Sequence, residues 1–251
     1  MTTLAIIGGT GISALDGMVI ERRQVVRTPY GQPSSAISHG VYGGKQVIFL
    51  PRHGAGHHIP PHQINYRANL WCLHELGIKT ILAIAAVGSI NADMRPADLV
   101  IPHQLIDYTY GRQHTFFEEG PGELGQTVNH IDFTEPYCAA LRAHLLTAAA
   151  GLAHPVHDHG VYAVTQGPRL ETAAEVDRLE RDGCDLIGMT GMPEAALARE
   201  LDICYATCAV VANAAAGRGP ATITMAEVDA NLTVGVTQVR QLLARVIPMI
   251  A

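Results

Sequence analysis

The residues able to do chemistry gather where apolar runs end. "LAII" at 4–7 runs into Gly8-Gly9-Thr10-Gly11, and "QVIFL" at 46–50 runs into Pro51-Arg52-His53-Gly54. Residues 79–84 run into Ala85, Ala86, Val87, Gly88 and Ser89. Residues 185–188 run into Met189, Thr190 and Gly191, and 203–212 into Asn213, alone among alanines in "VVANAAAG". Backbone amides of a glycine-rich turn make an anion nest, to which Thr10 and Thr190 add hydroxyls. Arg52 brings a fixed cation whose fork suits phosphate oxygens, and His53 beside it is placed to donate. Thr10, Arg52, His53, Ala85, Ala86 and Thr190 together compose a compact site for free phosphate. Each alone reads as something plainer: a tight turn, a surface arginine, a turn histidine, a helix cap. Their recurrence at strand ends favours the joint reading.

Gly9, Gly11 and Ala14 also sit at the G-x-G-x-x-A spacing of a dinucleotide loop. Such a loop opens a helix directly and is followed about 20 residues later by an acidic side chain. Here Leu15-Asp16-Gly17 breaks the helix, and "VRTPYGQP" near the acidic position carries no carboxylate. No Gly-Lys-Ser/Thr follows either, so a mononucleotide loop is excluded.

The elements that must position these residues follow from apolar periodicity. Strands are predicted at 4–7, 46–50, 79–87, 98–101, 160–165 and 203–212. Ile64, Ala68, Trp71 and Cys72 fall on one face of a helix over 62–76, which Gly77 stops. "ETAAEVDRLERDG" and "PEAALARELD" are further helices, and a long one spans about 225–246, opened by the capping-box form Thr224-Met225-Ala226-Glu227. Continuous apolar strands alternating with helices imply a mainly parallel sheet covered on both faces. No repeat or linker divides the chain, so residues 1–251 read as one α/β domain. The longest irregular stretch is 111–134, where "EEGPGELG" reads as a mobile loop.

With a net charge of −6, 16% charged residues and no run of like charges, a nucleic-acid polymer or an anionic membrane is not an expected partner. The expected location is cytoplasmic, since no signal peptide or membrane span is read. Cysteines stand at 72, 138, 184, 204 and 208. In a strand, Cys204 and Cys208 lie roughly 13 Å apart, too far for a disulfide or a shared metal. All five read as reduced core thiols. The thirteen histidines include "HGAGHH" and "HDH". Neither has the helical spacing of a zinc motif. Both patches read as solvated loops, and no metal is expected.

These segments together resemble the trimeric purine nucleoside phosphorylase and methylthioadenosine phosphorylase family. The matching pieces are "IIGGTGI", "RHGAGHHIPPHQINYRANLW", "AAVGSINADMRPADLVIPHQLID", "HIDFTEPYC", "TQGPRLETAAE", "GMTGMPEAALARE" and "CYATCAVVAN", in family order from 4 to 213. The resemblance implies a central mixed, mostly parallel sheet flanked by helices. It implies a homotrimer with each active site at a subunit interface. The implied reaction is reversible cleavage of a purine nucleoside by inorganic phosphate, a co-substrate, without metal or other cofactor. The family's phosphate contacts map onto the six residues above, with Asn213, His53 and Arg52 as the catalytic set.

The resemblance also maps a substrate site: Glu171, Thr172, Met189, Asn213, Ala214, Ala215, Met225 and His130. Enzymes for 6-oxopurines have Asn at the base-reading position, whereas adenine-type relatives have Asp. The physics agrees: an Asn amide donates to O6 or N7, where a carboxylate would repel O6. Glu171 matches the glutamate that accepts from N1–H, a proton adenine lacks; its plainer role is a carboxylate at a helix N-terminus. Ala214 and Ala215 replace polar residues of the adenine type. Met225 falls where a histidine binds the 5′-hydroxyl in enzymes for ordinary nucleosides, and a thioether packs against a methylthio group instead. His130 matches a residue lent by the neighbouring subunit to the 5′ end. The implied reaction takes S-methyl-5′-thioinosine and phosphate to hypoxanthine and 5-methylthioribose 1-phosphate. A general inosine/guanosine phosphorylase and a methylthioadenosine phosphorylase are the alternatives.

Overall fold

Alternation along the central strands decides which helices cover which face. A computed structural model describes residues 4–118, 128–219 and 222–250. In strands β1 (Leu4–Gly8) and β5 (Thr80–Ser89), Ala5, Ile7, Ile81 and Ala83 point to one face. That face is covered by α1 (Tyr66–Glu75) and α4 (Gly191–Glu200). Leu4, Ile6, Leu82 and Ile84 point to the other face, under α2 (Ala139–Ala149) and α5 (Met225–Ile250). A strand buried on both faces must be apolar at every position, and this is why β1 and β5 read as continuous apolar runs.

The sheet is mixed, with 11 strands among the described residues. β4 (Lys45–Pro51), β1, β5 and β11 (Cys204–Ala214) run parallel. β2 (Val19–Gln24) and β3 (Ile37–Tyr42) add an antiparallel meander beyond β4. β10 (Leu186–Gly188) joins β5 antiparallel and continues the sheet through β9 (Val161–Val164) and β7 (Gln104–Asp107). Two short strands, β6 (Leu99–Val100) and β8 (Val156–His157), extend it beyond β11. Helix α3 (Ala173–Arg181) packs Val176 and Leu179 beside β9 and β10. The result is a single α/β domain.

Several expectations change. The helix foreseen over 62–76 starts at Tyr66: Pro61–Gln63 make a 3₁₀ turn, and Asn65 caps α1 by accepting from the Ala68 N–H at 3.0 Å. Gly77, at φ +76, ends it as foreseen. The strand predicted over 79–87 is β5, which runs on to Ser89, so Ala85 and Ala86 serve the site from within the strand. The cysteines are not all reduced: Cys138, the residue preceding α2, is disulfide-bonded to Cys204 at the start of β11, while Cys72, Cys184 and Cys208 are free and buried. Of "EEGPGELG", residues 119–125 lie outside the described residues, and so does the expectation of a mobile loop there. No helix among the described residues is long and apolar enough to cross a membrane.

Candidate functional site

A break in the hydrogen-bond ladder opens the site. β1 pairs with β5 only as far as Ile7 opposite Ala83, and β10 pairs with β5 only at Gly88 and Ser89. β11 occupies the other edge of β5 along its length, so β1 and β10 share one edge. Between them, residues 84–87 of β5 have no strand partner on that edge. Arg52, just beyond β4, reaches into the break and donates from Nη1 to the Ile84 carbonyl at 2.8 Å. Backbone polar groups alternate between edges along a strand, so the Ala86 N–H faces the same break. The glycine turn after β1 closes over it. A Cβ on Gly9 would lie 2.5 Å from the Ile84 oxygen and 2.9 Å from Arg52 Nη1, so only glycine fits. Gly11 takes φ +83, which glycine adopts without strain.

Arg52 is 1% exposed and its remaining fork is spent on Glu194 of α4, itself fully buried. Nε donates to Oε2 at 2.7 Å and Nη2 to Oε1 at 2.8 Å. Burial alone would lower the Arg52 pKa; the Glu194 charge and its hydrogen bonds reverse this and hold it above its ordinary value. Tyr205 completes the network by donating to Glu194 Oε1 at 2.8 Å. Beyond these three bonds Arg52 keeps one N–H on Nη1 and one on Nη2, within an ion pair without net charge. Glu194 was not foreseen. The visible signal was a carboxylate in the alanine-rich "PEAALARE", where a buried charge needs a partner.

His53 also differs from expectation. Its Nδ1 lies 2.8 Å from the Ile59 carbonyl, which can only accept, so Nδ1 carries the proton. Burial first, then the Arg52 charge, lower its pKa from 6.5 to about 4. The ring is neutral at pH 7, and Nε2 is left as an acceptor, not the expected donor.

The break opens into a cavity of about 460 Å³, a size suited to a small organic ligand with an anion beside it. Thr10, Arg52, His53, Ala85, Ala86 and Thr190 all line it. The Thr10 hydroxyl lies 3.1 Å from His57 Nε2, and Thr190 immediately precedes α4. His57 and His58 line the cavity too and are exposed, as the solvated-loop reading of "HGAGHH" expects, whereas His53 of the same patch is buried. In "HDH", His157 pairs with Asp98 and His159 with Asp158. No cluster of three possible metal ligands occurs among the described residues.

Glu171, Met189, Asn213, Ala215 and Met225 line the same cavity. A register break between Val211 and Asn213 marks a bulge in β11, a device that re-aims a side chain at a strand end. Asn213 Nδ2 gives one hydrogen to the Ala214 carbonyl at 2.7 Å, and its second hydrogen remains. Glu171 accepts from the Thr165 hydroxyl at 2.7 Å. It does not serve α3: Thr172 is the N-cap and Glu175 completes the capping box, so the helix-terminal role foreseen for Glu171 belongs to Glu175. Thr172 is exposed, spent on that cap and outside the cavity lining, as is Ala214. His130 is exposed and does not line the cavity of its own chain. Met189 is fixed from behind by Arg112, a second unforeseen residue, which donates to the carbonyls of Met189 (2.8 Å), Met192 (2.6 Å) and Gln166 (2.8 Å). The geometry suits a tetrahedral anion in the strand break and a planar, polar-edged group against Asn213 and Glu171.

Comparison with known proteins agrees with this chemistry. The family model described as the phosphorylase superfamily matches residues 3–248. A relative from Pseudomonas syringae pv. tomato, named probable S-methyl-5′-thioinosine phosphorylase, is 54% identical over 98% of this chain and 99% of its own. The 6-oxopurine nucleoside phosphorylase of Pyrococcus furiosus is 48% identical over 100% of this chain and 94% of its own. Among solved structures, methylthioadenosine phosphorylase from Schistosoma mansoni in complex with adenine superposes with a TM-score of 0.95 at 32% identity, covering 100% of this chain and 92% of that one.

Proposed function

The chain belongs to the phosphorylase superfamily, and we propose that it is the phosphorolytic enzyme for a 6-oxopurine nucleoside carrying a 5′-methylthio group. The reaction is S-methyl-5′-thioinosine plus phosphate giving hypoxanthine plus 5-methylthioribose 1-phosphate. The observation that carries the base assignment is the pairing of Asn213 with a Glu171 released from helix capping, both in one cavity with the strand break. The name of the Pseudomonas relative supports the whole substrate.

In this reading phosphate sits in the break, met by the Ala86 N–H, the Thr10 and Thr190 hydroxyls and Arg52 Nη1. The C1′–N9 bond lengthens and the sugar gains oxocarbenium character. A phosphate oxygen beneath C1′ is both counter-charge and nucleophile, and it bonds to C1′ as N9 departs with the electron pair. The second amide hydrogen of Asn213 stabilises the leaving purine at N7 or O6. Glu171 accepts from N1–H, and Met189 packs under the ribose. Met225, 63% exposed at the start of α5, supplies the apolar 5′ wall. A homotrimer that covers this mouth and lends His130 to the neighbour's 5′ end is part of the proposal, and no cofactor is assigned besides phosphate.

The test is hypoxanthine release from S-methyl-5′-thioinosine, with and without phosphate, beside inosine and methylthioadenosine. Phosphate-dependent turnover fastest on methylthioinosine is the expected result. Faster inosine cleavage would remove the role given to Met225; faster methylthioadenosine cleavage would remove those of Asn213 and Glu171.

A further inference from the structure

Resting on the reading that the strand break holds the phosphate co-substrate, we infer that His53 makes the site selective for a tetrahedral anion that still carries a proton. Around the break the Ala86 N–H and Arg52 Nη1 can only donate, and the hydroxyls of Thr10 and Thr190 can rotate to donate. His53 differs in presenting a fixed acceptor. Its Nδ1–H is committed to the Ile59 carbonyl by the path of the chain, so the ring turns the Nε2 lone pair to the cavity. A bare anionic oxygen against that lone pair is repelled, whereas a P–OH donates to it.

The surroundings do not supply the missing proton. Arg52, the nearest charge, opposes protonation of the ring, and its own charge is balanced by Glu194. His57, with ring centroid 4.7 Å from that of His53, also opposes it and is engaged with Thr10. His58 lines the same cavity. With Arg52 neutralised by its partner, charge alone discriminates poorly between dianions of one size. Hydrogenphosphate and sulfate share shape and charge at neutral pH, but only hydrogenphosphate has the O–H that His53 can accept. Hydrogenarsenate has it as well. His53 is thus a specificity-determining residue for the acceptor anion.

The test is calorimetric titration of the full-length protein at pH 7.5 with phosphate, arsenate and sulfate, then the same titrations on His53→Gln. A glutamine amide can turn a donor toward the anion. Phosphate and arsenate are expected to bind within a few-fold of each other, and sulfate at least about tenfold more weakly. In His53→Gln that gap is expected to close. Sulfate binding as tightly as arsenate to the unaltered protein overturns the inference, and so does an unchanged gap in a folded His53→Gln. The unaltered protein alone decides if the variant does not fold. Failure of phosphate to bind at all would instead overturn the phosphorolysis reading, so the two failures are distinguishable.

Discussion

At the end of the cavity proposed for phosphate, Arg52 is held through three nitrogens, Glu194 through both oxygens, and Gly9 has no room for a Cβ. At the end proposed for the nucleoside, Asn213 is held by one hydrogen bond to its neighbour, Glu171 by one to Thr165, and Met225 stands open at a helix start. The first end is fixed by long-range contacts among β4, β5 and α4. The second is set by side chains that can be exchanged without moving the backbone. Such a division suits an enzyme group with one acceptor and varied nucleosides: the shared step is tied to the core, and discrimination rests on replaceable tips.

The contrast predicts a graded series. Glu194→Ala strands a buried guanidinium and should cost about 3–5 kcal/mol of stability, read by denaturant unfolding, with loss of phosphate-dependent turnover. A loss under 1 kcal/mol would mean that the phosphate end is not tied to the core. Second, the His53 pKa is held near 4 in the fold against 6.5 unfolded. The unfolded chain therefore binds the extra proton first as pH falls. Stability should be flat above about 6.5 and decline by about 3 kcal/mol toward pH 4 from this residue. His53→Gln should remove that part of the slope.

Third, Asn213→Asp should leave unfolding unchanged within about 0.5 kcal/mol and move the hypoxanthine-to-adenine preference in kcat/KM by about ten- to a hundredfold toward adenine. Unchanged discrimination would sink the base assignment. The smallest effect is expected at the open mouth. Met225→His should lower the preference for a 5′-methylthio over a 5′-hydroxyl group by roughly three- to tenfold, with stability untouched. A large stability loss there would show Met225 to be a packing residue and blur the contrast.

What the sequence disclosed follows the same division. Strand ends were legible because each central strand is a continuous apolar run stopped by a polar or glycine residue, and this brought out Thr10, Arg52, His53 and Asn213. Glu194 was hidden because its partner lies 142 positions away, and no local pattern encodes which side chains meet across a sheet. The end of β5, at Ser89 and not 87, was blurred because the small residues of "AAVGS" suit a turn as well as a crowded strand. β2 escaped notice because it is exposed throughout except at half-buried Gln24, and shows no apolar period. The Cys138–Cys204 pairing spans 66 residues and depends on where α2 starts relative to β11.

The break between β1 and β10 has a consequence for the lifetime of the protein. Over residues 84–87 that edge of β5 has no strand partner among the described residues, and Arg52 takes the Ile84 carbonyl. An anion seated there belongs to the folded chain and not to the unfolded one, so phosphate should raise the melting temperature as its concentration passes its dissociation constant, by RT ln(1 + [L]/Kd). The co-substrate would then act as a folding ligand. A cell poor in phosphate would hold less of this enzyme, by faster turnover of the polypeptide, as well as supplying it with less to react.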